Sequence, residues 1–428
     1  MAPRSGNTLP RHVVIVGGSL AGLFTGVALK SHGFNTTILE RTPTPILENQ
    51  GAGIVAGGDT LRFFQTYDRS GRDVAIASQK RLYLNQAGDV VHEEVMKQTM
   101  TSWDLTYYLL RANYDGVKSD YLLGQDPKKL GQISRWEHRL PLRLYSDQVH
   151  VKYTTSDNKQ ESVAGELLVG ADGPSSTMRK ILSPDVERKY CGYVVIRGTV
   201  PEDEATEEAR KVFVERFCFF HGPGVQNLTY TIPGVHGTTD KGGRLLNFVW
   251  YTNFEDGSAQ LDKVLTDKEG KRRRITIPPG MMTEDAWEMV KERGRDKLPP
   301  QMAEMVQKSR NPFVQAITDV MSPTSLWENG KVVLVGDALA GFRPHTVAST
   351  SQAAFDVLLL VEWLEGRMDM KEWERRTVEY ARKVQSMGMY IGNRSQFEER
   401  DLKEYVEDRN WMSTPREKLD FPEWTQVR

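Results

Sequence analysis

The first regular pattern in the chain is a short apolar run that passes directly into glycine-rich sequence. Residues 13–16 read Val-Val-Ile-Val, a continuous β-branched run typical of a parallel strand that is buried on both faces. The run 17–22 contains three glycines, and apolar residues then recur at helical spacing until Gly33. A second short apolar run, 36–39, ends at Glu40. The pattern predicts one βαβ unit.

Two later apolar runs end in the same way, in glycine and aspartate. Residues 167–169 precede a Gly-Ala-Asp-Gly sequence at 170–173, and residues 332–335 precede Gly336-Asp337. Between them, from about residue 190 to residue 277, short β-rich pieces alternate with proline and glycine turns. We therefore expect a mostly antiparallel sheet inserted into a nucleotide-binding domain.

Composition excludes several classes of protein. The chain has 56 Lys and Arg against 57 Asp and Glu in 428 residues, a net charge of −1, so the basic excess of a nucleic-acid binder is absent. No apolar run approaches the roughly 18 residues that a membrane span requires. No apolar segment precedes the first strand, so no secretory signal is expected. The two cysteines form no CxxC pair, which excludes a disulfide framework and favours a reducing, cytoplasmic compartment.

One dense basic run, Lys-Arg-Arg-Arg at 271–274, interrupts this neutral composition. A solvated loop is the ordinary interpretation of such a run. The alternative is contact with an anionic partner such as a phosphate.

The first glycine-rich turn has the chemistry of a dinucleotide site. Gly17 permits a tight strand-to-helix turn, and Gly22 lets the helix pack closely on the strand. The helix N-terminus between them offers free N–H groups to a pyrophosphate. Glu40, at the end of the second strand, is placed to bind a ribose diol. Ser19 stands where the GxGxxG pattern has its middle glycine. The motif predicts a bound ADP moiety, with a plain strand-to-helix turn as the alternative.

The three glycine–acid segments together resemble a known family. Residues 170–179 read Gly-Ala-Asp-Gly-Pro-Ser-Ser-Thr-Met-Arg, and residues 335–344 read Val-Gly-Asp-Ala-Leu-Ala-Gly-Phe-Arg-Pro. In order and spacing, over about residues 11–365, the segments are similar to those of single-component FAD-dependent aromatic hydroxylases. The alternative for each aspartate is a cap on a nearby helix.

Further segments resemble the 2,6-dihydroxypyridine 3-hydroxylase-like subgroup of that family. Members of this subgroup hydroxylate electron-rich aromatic or N-heteroaromatic rings. The similar segments are 17–19, 51–54, 192–198, 230–234, 247–251 and 343–345.

The resemblance implies an α/β fold. It consists of a Rossmann-like FAD-binding domain of the glutathione-reductase type, an inserted β-sheet substrate domain and C-terminal helices. We expect the FAD-binding domain at 11–189 and 281–365, the substrate domain at 190–280, and a C-terminal helical segment with a tail at 366–428.

The resemblance also implies which residues hold FAD, and it implies no metal. Glu40 and Arg41 would lie at the ADP half, Gly53 near the flavin, and Arg111 on the pyrophosphate side. Asp337 would accept hydrogen bonds from the ribityl hydroxyls, and the backbone of 347–349 would meet the flavin pyrimidine edge. The full set of expected cofactor-binding residues is Gly17, Ser19, Gly22, Glu40, Arg41, Gly53, Arg111, Asp172, Asp337, Val347, Ala348 and Ser349. An ordinary helix-surface arginine is the alternative for Arg111.

Three residues are candidates for the substrate side. Arg197 would bind an anionic substrate oxygen or steady the flavin, and Tyr230 would hydrogen-bond a ring hydroxyl or heteroatom. His345, in the loop expected to face the flavin, would modulate substrate ionisation. Each has a purely structural alternative, either on a half-buried sheet or in a turn.

The implied reaction is oxygen insertion into a small aromatic or N-heteroaromatic substrate, prenylated ones included. NAD(P)H reduces FAD, O₂ adds to give a C4a-hydroperoxide, and one oxygen atom is transferred. The expected partners are the small aromatic substrate and O₂, with no nucleic acid and with a monomer or homodimer left open. Epoxidation, decarboxylation and ring expansion are alternative outcomes, and an oxidase is an alternative flavoenzyme. A non-catalytic flavin- or nucleotide-binding protein is the alternative of another class.

Overall fold

The predicted strand–turn–helix unit is present at the N-terminus, as the first part of a larger α/β fold. The structure is a computed structural model that describes residues 12–44, 46–47, 53–122, 132–135, 142–144, 148–155 and 157–412.

The strands, numbered in chain order, are β1 His12–Val16, β2 Asn35–Glu40, β3 Gly53–Val55, β4 Ile76–Leu84, β5 Val90–Ser102, β6 Gln132–Arg135, β7 Leu142–Leu144, β8 Val149–Thr154, β9 Gln160–Gly165, β10 Leu167–Gly170, β11 Lys189–Pro201, β12 Arg216–Gly222, β13 Val225–Ile232, β14 Leu245–Asn253, β15 Thr276–Ile277, β16 Phe313–Met321, β17 Leu326–Trp327, β18 Val332–Leu334 and β19 Ala340–Gly341.

The α-helices are α1 Leu20–Ser31, α2 Gly58–Tyr67, α3 Trp103–Asp115, α4 Thr177–Leu182, α5 Glu207–Phe213, α6 Ala259–Val264, α7 Glu284–Lys297, α8 Pro300–Lys308, α9 Ser349–Leu364, α10 Met370–Phe397 and α11 Leu402–Met412.

The first sheet places the three glycine–acid turns side by side. Its strand order is β17-β18-β10-β1-β2-β6, and every pair except β17–β18 is parallel. In register, Val16 pairs with Gly170, and Gly170 pairs with Leu334. The carboxyl ends of β1, β10 and β18 therefore lie together at one edge, which is where ligands bind in open α/β sheets.

The second sheet extends well beyond the predicted insertion. Its main path is β15-β16-β11-β14-β13-β12-β4-β5-β3. Strands β3 to β5 and strand β16 lie outside residues 190–280, yet they pair into the same sheet. The pairings of β11 with β16 and of β12 with β4 join segments more than a hundred residues apart, such as Phe217 with Arg81. Local periodicity contains no information about such partners.

The two faces of the second sheet have different neighbours. One face packs a core of aliphatic side chains, phenylalanines such as Phe248, and Trp250 against α5, α6, α7 and α8. The opposite face is rich in tyrosine and phenylalanine, including Tyr193, Tyr230 and Tyr251, and also contacts Val406 of α11. A β-strand sends alternate side chains to opposite faces, so Arg197, two residues after Val195, points to the aromatic face.

The described helices include none that is both long enough and apolar enough to cross a membrane.

Candidate active site

A single cavity of about 450 Å³ lies at the carboxyl edge of the parallel sheet. Its walls include all three glycine–acid turns, represented by Gly17, Asp172 and Asp337. Glu40 lines the same cavity, and at its other end the cavity reaches Arg197 on the second sheet. The cavity therefore joins the predicted nucleotide-binding turns to the predicted substrate side.

The N-terminus of α1 is brought to this cavity by close backbone packing. Gly17 has a φ of +111°, a conformation that favours glycine. A Cβ atom on Gly22 would collide with the carbonyl oxygen of Gly17, so no larger residue fits between the first turn of α1 and the end of β1. Ser19 and the first turn of α1 consequently form part of the cavity wall.

The helix N-termini at the cavity lack side-chain caps. Both α1, after Ser19, and α9, after Ala348, begin without a side-chain hydrogen bond to their first N–H groups. By contrast, Ser102 caps α3 and Ser176 caps α4 through their side chains. The free N–H groups of α1 and α9 are available to an anion or a polar ligand edge.

Glu40 is fixed by backbone donors. One of its carboxylate oxygens accepts the Gly18 N–H at 2.6 Å, and the other accepts the Thr42 N–H at 2.7 Å. Each oxygen retains a lone pair that can accept a ribose hydroxyl. Arg41 also lines the cavity at this end.

Asp337 follows strand β18 and projects into the cavity with spare hydrogen-bonding capacity. Its Oδ1 atom has no hydrogen-bond partner among the described residues. Burial raises the pKa of its carboxyl group to about 6, although the positive charge of Arg188 opposes the shift. A ligand that donates hydroxyl groups would satisfy this carboxylate.

The raised pKa of Asp337 leads to a stability prediction for the cofactor-free protein. Because the folded pKa lies above the unfolded value of 3.8, wild-type stability falls as pH rises from about 4 to just above 6, by about 3 kcal/mol over that whole range. Asp337→Asn removes this titration, so its melting temperature relative to wild type should rise between pH 5 and pH 8. Thermal unfolding of both apoproteins tests this. The exposed Asp240→Asn variant should show no such pH-dependent gain, and an equal gain there would contradict the assignment.

Asp172 both lines the cavity and caps a helix. It accepts hydrogen bonds from the Ser176 hydroxyl, from the Thr177 N–H at 2.6 Å and from the Met178 N–H at 3.1 Å. Burial raises the pKa of its carboxyl group, and these donors oppose the shift. The helix-cap alternative is thus realised in addition to a place in the cavity wall.

Arg179 connects the second and third glycine–acid turns through hydrogen bonds. Its guanidinium donates to the backbone carbonyl oxygens of Pro174, of Asp337 at 3.3 Å and of Ala338 at 2.7 Å. The mutual position of Asp172 and Asp337 therefore depends in part on Arg179, a side chain outside the described lining residues of the cavity.

The loop before α9 only partly reaches the cavity. Ser349, at the start of α9, lines it, whereas Val347 and Ala348 are not among its described lining residues. Val347 has a φ of +51°, a strained conformation for a β-branched residue. Its side chain packs instead against the aromatic face of the second sheet.

Arg111 is not among the described lining residues of the cavity. Its guanidinium is buried within α3 and binds Asp115 through three hydrogen bonds of 2.8 to 3.1 Å. A further N–H donates to the Tyr107 hydroxyl at 2.5 Å. With its donors directed at protein groups, Arg111 supports Tyr107, and it does not line the cavity among the described residues.

The substrate-side candidates lie at different depths. Arg197 lines the cavity and makes no ion pair with any described carboxylate. Gly53, also in the wall, donates its N–H to Asn247 at 2.9 Å, and a Cβ there would collide with the Tyr230 ring. Tyr230 therefore stands directly behind Gly53. Burial raises the pKa of Tyr230 to about 12 despite the nearby positive charge of Arg197.

His345 is fully buried behind the cavity wall. Its Nδ1 atom lies 2.6 Å from the Gln226 side-chain oxygen, and its Nε2 atom lies 2.9 Å from the Tyr193 hydroxyl. An amide oxygen only accepts, so Nδ1 carries the proton. Burial, with Arg409 and Arg343 nearby, holds the His345 pKa well below its ordinary value. The described cavity wall includes its neighbour Pro344 but not His345.

Comparison with known proteins supports the interpretation of this cavity as an FAD-binding site. A family model described as FAD binding domain-like matches residues 190–319. The chain is 25% identical over 394 residues to 2,6-dihydroxypyridine 3-monooxygenase of Paenarthrobacter nicotinovorans, covering 90% of this chain and 93% of that protein. It is 21% identical over 401 residues to 3-hydroxybenzoate 6-hydroxylase 1 of Aquipseudomonas alcaligenes, covering 89% of each.

A solved structure shares the fold over almost the whole chain. The 2,6-dihydroxypyridine-3-hydroxylase of Arthrobacter nicotinovorans superimposes with a TM-score of 0.77 at 24% identity, covering 92% of this chain and 94% of that one. The chain is thus similar, over almost its whole length, to FAD-dependent aromatic hydroxylases. The family resemblance and the fold class expected from the motifs are thereby confirmed.

The described residues fit the FAD of this FAD-dependent monooxygenase. The unpartnered Oδ1 of Asp337 and the uncapped N-termini of α1 and α9 all face one cavity. They supply the acceptors and donors that a ribityl chain, a pyrophosphate and a flavin edge require. Gly51 and Ala52, part of the segment that resembles the subgroup, lie outside the described residues.

Sequence reasoning missed one charged residue of the cavity, Arg188. Its guanidinium donates to Thr318 at 2.6 Å and to Ser175 at 2.8 Å, and all three residues line the wall. Arg188 belongs to no recognisable motif. The available signal was its position just before β11, on the connection from the second glycine–acid turn to the second sheet.

Proposed function

We propose that the protein is an NAD(P)H-dependent FAD monooxygenase that inserts one oxygen atom of O₂ into a small aromatic or N-heteroaromatic ring. The observation that carries the proposal is one cavity whose described walls include residues of all three glycine–acid turns and Arg197 of the second sheet. When bound and reduced, FAD would supply the electrons that activate O₂, and one of the two oxygen atoms of O₂ would be transferred to the ring.

The cofactor is held, in this proposal, by groups that require little rearrangement. Glu40 accepts the ribose hydroxyls of the ADP half, and the free N–H groups after Ser19 bind the pyrophosphate. Asp337 accepts from the ribityl hydroxyls through its unpartnered Oδ1. Ser349 and the first turn of α9, which line the cavity, would face the flavin edge, where a helix N-terminus favours negative charge.

The substrate ring is placed between this cofactor site and the second sheet. Arg197 has no carboxylate partner among the described residues, so its charge is available to a phenolate or a deprotonated heteroaromatic oxygen. Tyr230 keeps its proton at neutral pH, because burial raises its pKa to about 12, and it can act as a hydrogen-bond donor. His345 acts indirectly, by fixing Tyr193 and the Pro344 loop.

The substrate proposal follows the chemistry of the relatives. The matched proteins are named for hydroxylation of a dihydroxypyridine and of a hydroxybenzoate, both rings with an ionisable hydroxyl. An ionised hydroxyl enriches the ring in electrons and presents an anionic oxygen to Arg197. Epoxidation, decarboxylation and ring expansion remain alternative outcomes of the same oxygen transfer. The non-catalytic alternative is not retained, because the chain aligns over most of its length with named monooxygenases.

A substrate screen tests the proposal directly. The purified protein should be yellow, and hydroxylated pyridines or benzoates should stimulate NADPH or NADH oxidation and O₂ uptake. With ¹⁸O₂, the product should carry one labelled oxygen atom. Anaerobic mixing separates the alternatives, because an oxidase would be reduced by substrate alone. Protein that cannot take up FAD, or that oxidises no reduced nicotinamide with any ring substrate, would contradict the proposal.

A further inference from the structure

The arginines of the basic run at 271–274 differ in whether they form ion pairs with carboxylates. Arg272 forms an ion pair with Asp262 at 2.7 Å, and Arg273 forms one with the buried Asp267 at 2.5 Å. Arg274 forms no ion pair with a carboxylate in the part of the chain that the structure describes. Its Nη2 atom instead donates to the backbone oxygen of Arg188 at 3.4 Å.

The backbone holds Arg274 beside the cavity wall. Ala316 donates its N–H to the carbonyl oxygen of Ile275 at 2.7 Å, and Thr276 pairs with Gln315. The segment after Arg274 thus runs along β16, the strand whose residues 315–318 line the cavity. Arg274 itself is exposed to solvent and lies outside the described lining residues.

Like charges converge at this rim. Arg188 lies in the cavity wall, and its pKa is lowered to about 10 by burial, with Arg179 and Arg274 contributing as positive neighbours and Asp337 opposing. Neither Arg188 nor Arg274 has an ion-pair partner among the described residues. Arginines that form no ion pair can bind an anion with several oxygens, and guanidinium groups suit phosphate best.

We propose that Arg188 and Arg274 form a phosphate-binding rim for the nicotinamide dinucleotide that reduces the flavin. The inference rests on the proposed function, which requires such a reductant. Phosphate groups could also come from FAD, but the first turn of α1 already offers N–H groups to the FAD pyrophosphate. The reductant must enter and leave from solvent in each turnover, and Arg274 is on the solvent side of the wall.

The FAD-loaded enzyme and its Arg274→Gln variant test the proposal. Losing one charge-assisted phosphate contact should raise the Kd for NADPH or NADH about tenfold in anaerobic flavin reduction. FAD retention, and reduction of the flavin by dithionite, should stay at wild-type levels. Inorganic pyrophosphate should bind wild-type holoenzyme in calorimetry, should compete with the reductant, and should do both more weakly in the variant.

Two matched variants make the test specific. Lys271→Gln removes the same charge from the same run at an exposed position, and it should leave the Kd for the reductant nearly unchanged. Arg274→Lys keeps the charge and should recover part of the affinity. An equal effect of Lys271→Gln would mean diffuse electrostatic attraction and would overturn the site. Loss of FAD from Arg274→Gln with unchanged reductant binding would assign the rim to FAD and also overturn it.

Failure of this inference and failure of the proposed function give different results. Wild-type turnover with an unchanged reductant Kd in Arg274→Gln would overturn the phosphate rim alone. Pyrophosphate binding that depends on Arg274, in an enzyme that oxidises neither NADPH nor NADH, would overturn the proposed function and support the phosphate site.

Discussion

Gly22→Ala should abolish FAD retention and lower the melting temperature. The added methyl group would occupy the position of the Gly17 carbonyl oxygen, which is backbone and cannot swing away. The first turn of α1 must then move off the end of β1, at a cost of about 1–3 kcal/mol. Its N–H groups would leave their alignment with the cavity. Losing two charge-assisted hydrogen bonds corresponds to a roughly hundredfold weaker FAD affinity.

Gly58→Ala is the matched control for this variant. Gly58 is also the first-turn glycine of a helix, α2, but a Cβ there meets no atom within 4 Å. It should bind FAD normally and melt at or slightly above the wild-type temperature, because alanine favours the helix. FAD titration followed by flavin fluorescence, together with thermal unfolding, provides both readouts. Normal FAD affinity in Gly22→Ala would show that the α1 N-terminus does not hold the cofactor.

The glycine–acid turns could be predicted because their requirements are local. A buried strand, a glycine with positive φ and a following helix occupy consecutive residues, as at Val16, Gly17 and α1. The parallel register of β1, β10 and β18 then brings the turns together without further information. The same local requirements predict Glu40 and Asp337 at one edge of the sheet, and both line the cavity there.

Side-chain partners across the fold could not be predicted in this way. Arg111 looked available from its helix, yet Asp115, one helical turn later, engages its guanidinium. The sequence predicts that His345 faces the cavity. In the structure His345 is buried and forms a hydrogen bond with Gln226, more than a hundred residues earlier in the chain. For Arg111 the partner stands at an i,i+4 spacing within one helix, whereas for His345 it is a distant residue that only the fold brings close. Apolar periodicity carries no record of either polar partner.

Arg197→Ala should lower kcat/KM for the ring substrate about a hundredfold while the flavin content stays unchanged. In the proposed site, Arg197 is the cationic group that meets the anionic oxygen of the substrate, and it has no competing carboxylate among the described residues. Losing a charge-assisted hydrogen bond at a site shielded from water costs up to about 3 kcal/mol. Steady-state kinetics with the best substrate from the screen, alongside the absorption spectrum of bound FAD, measures both effects.

Controls on the same sheet separate substrate binding from general electrostatics. Arg216→Ala removes one positive charge from β12, outside the described cavity wall, and should keep kcat/KM within about twofold of wild type. Arg197→Lys keeps the charge without the planar fork and should fall between wild type and Arg197→Ala. Tyr230→Phe should cost about tenfold, because one neutral hydrogen bond is lost. If Arg197→Ala instead releases FAD with normal substrate binding, Arg197 holds the flavin and the substrate oxyanion has another partner.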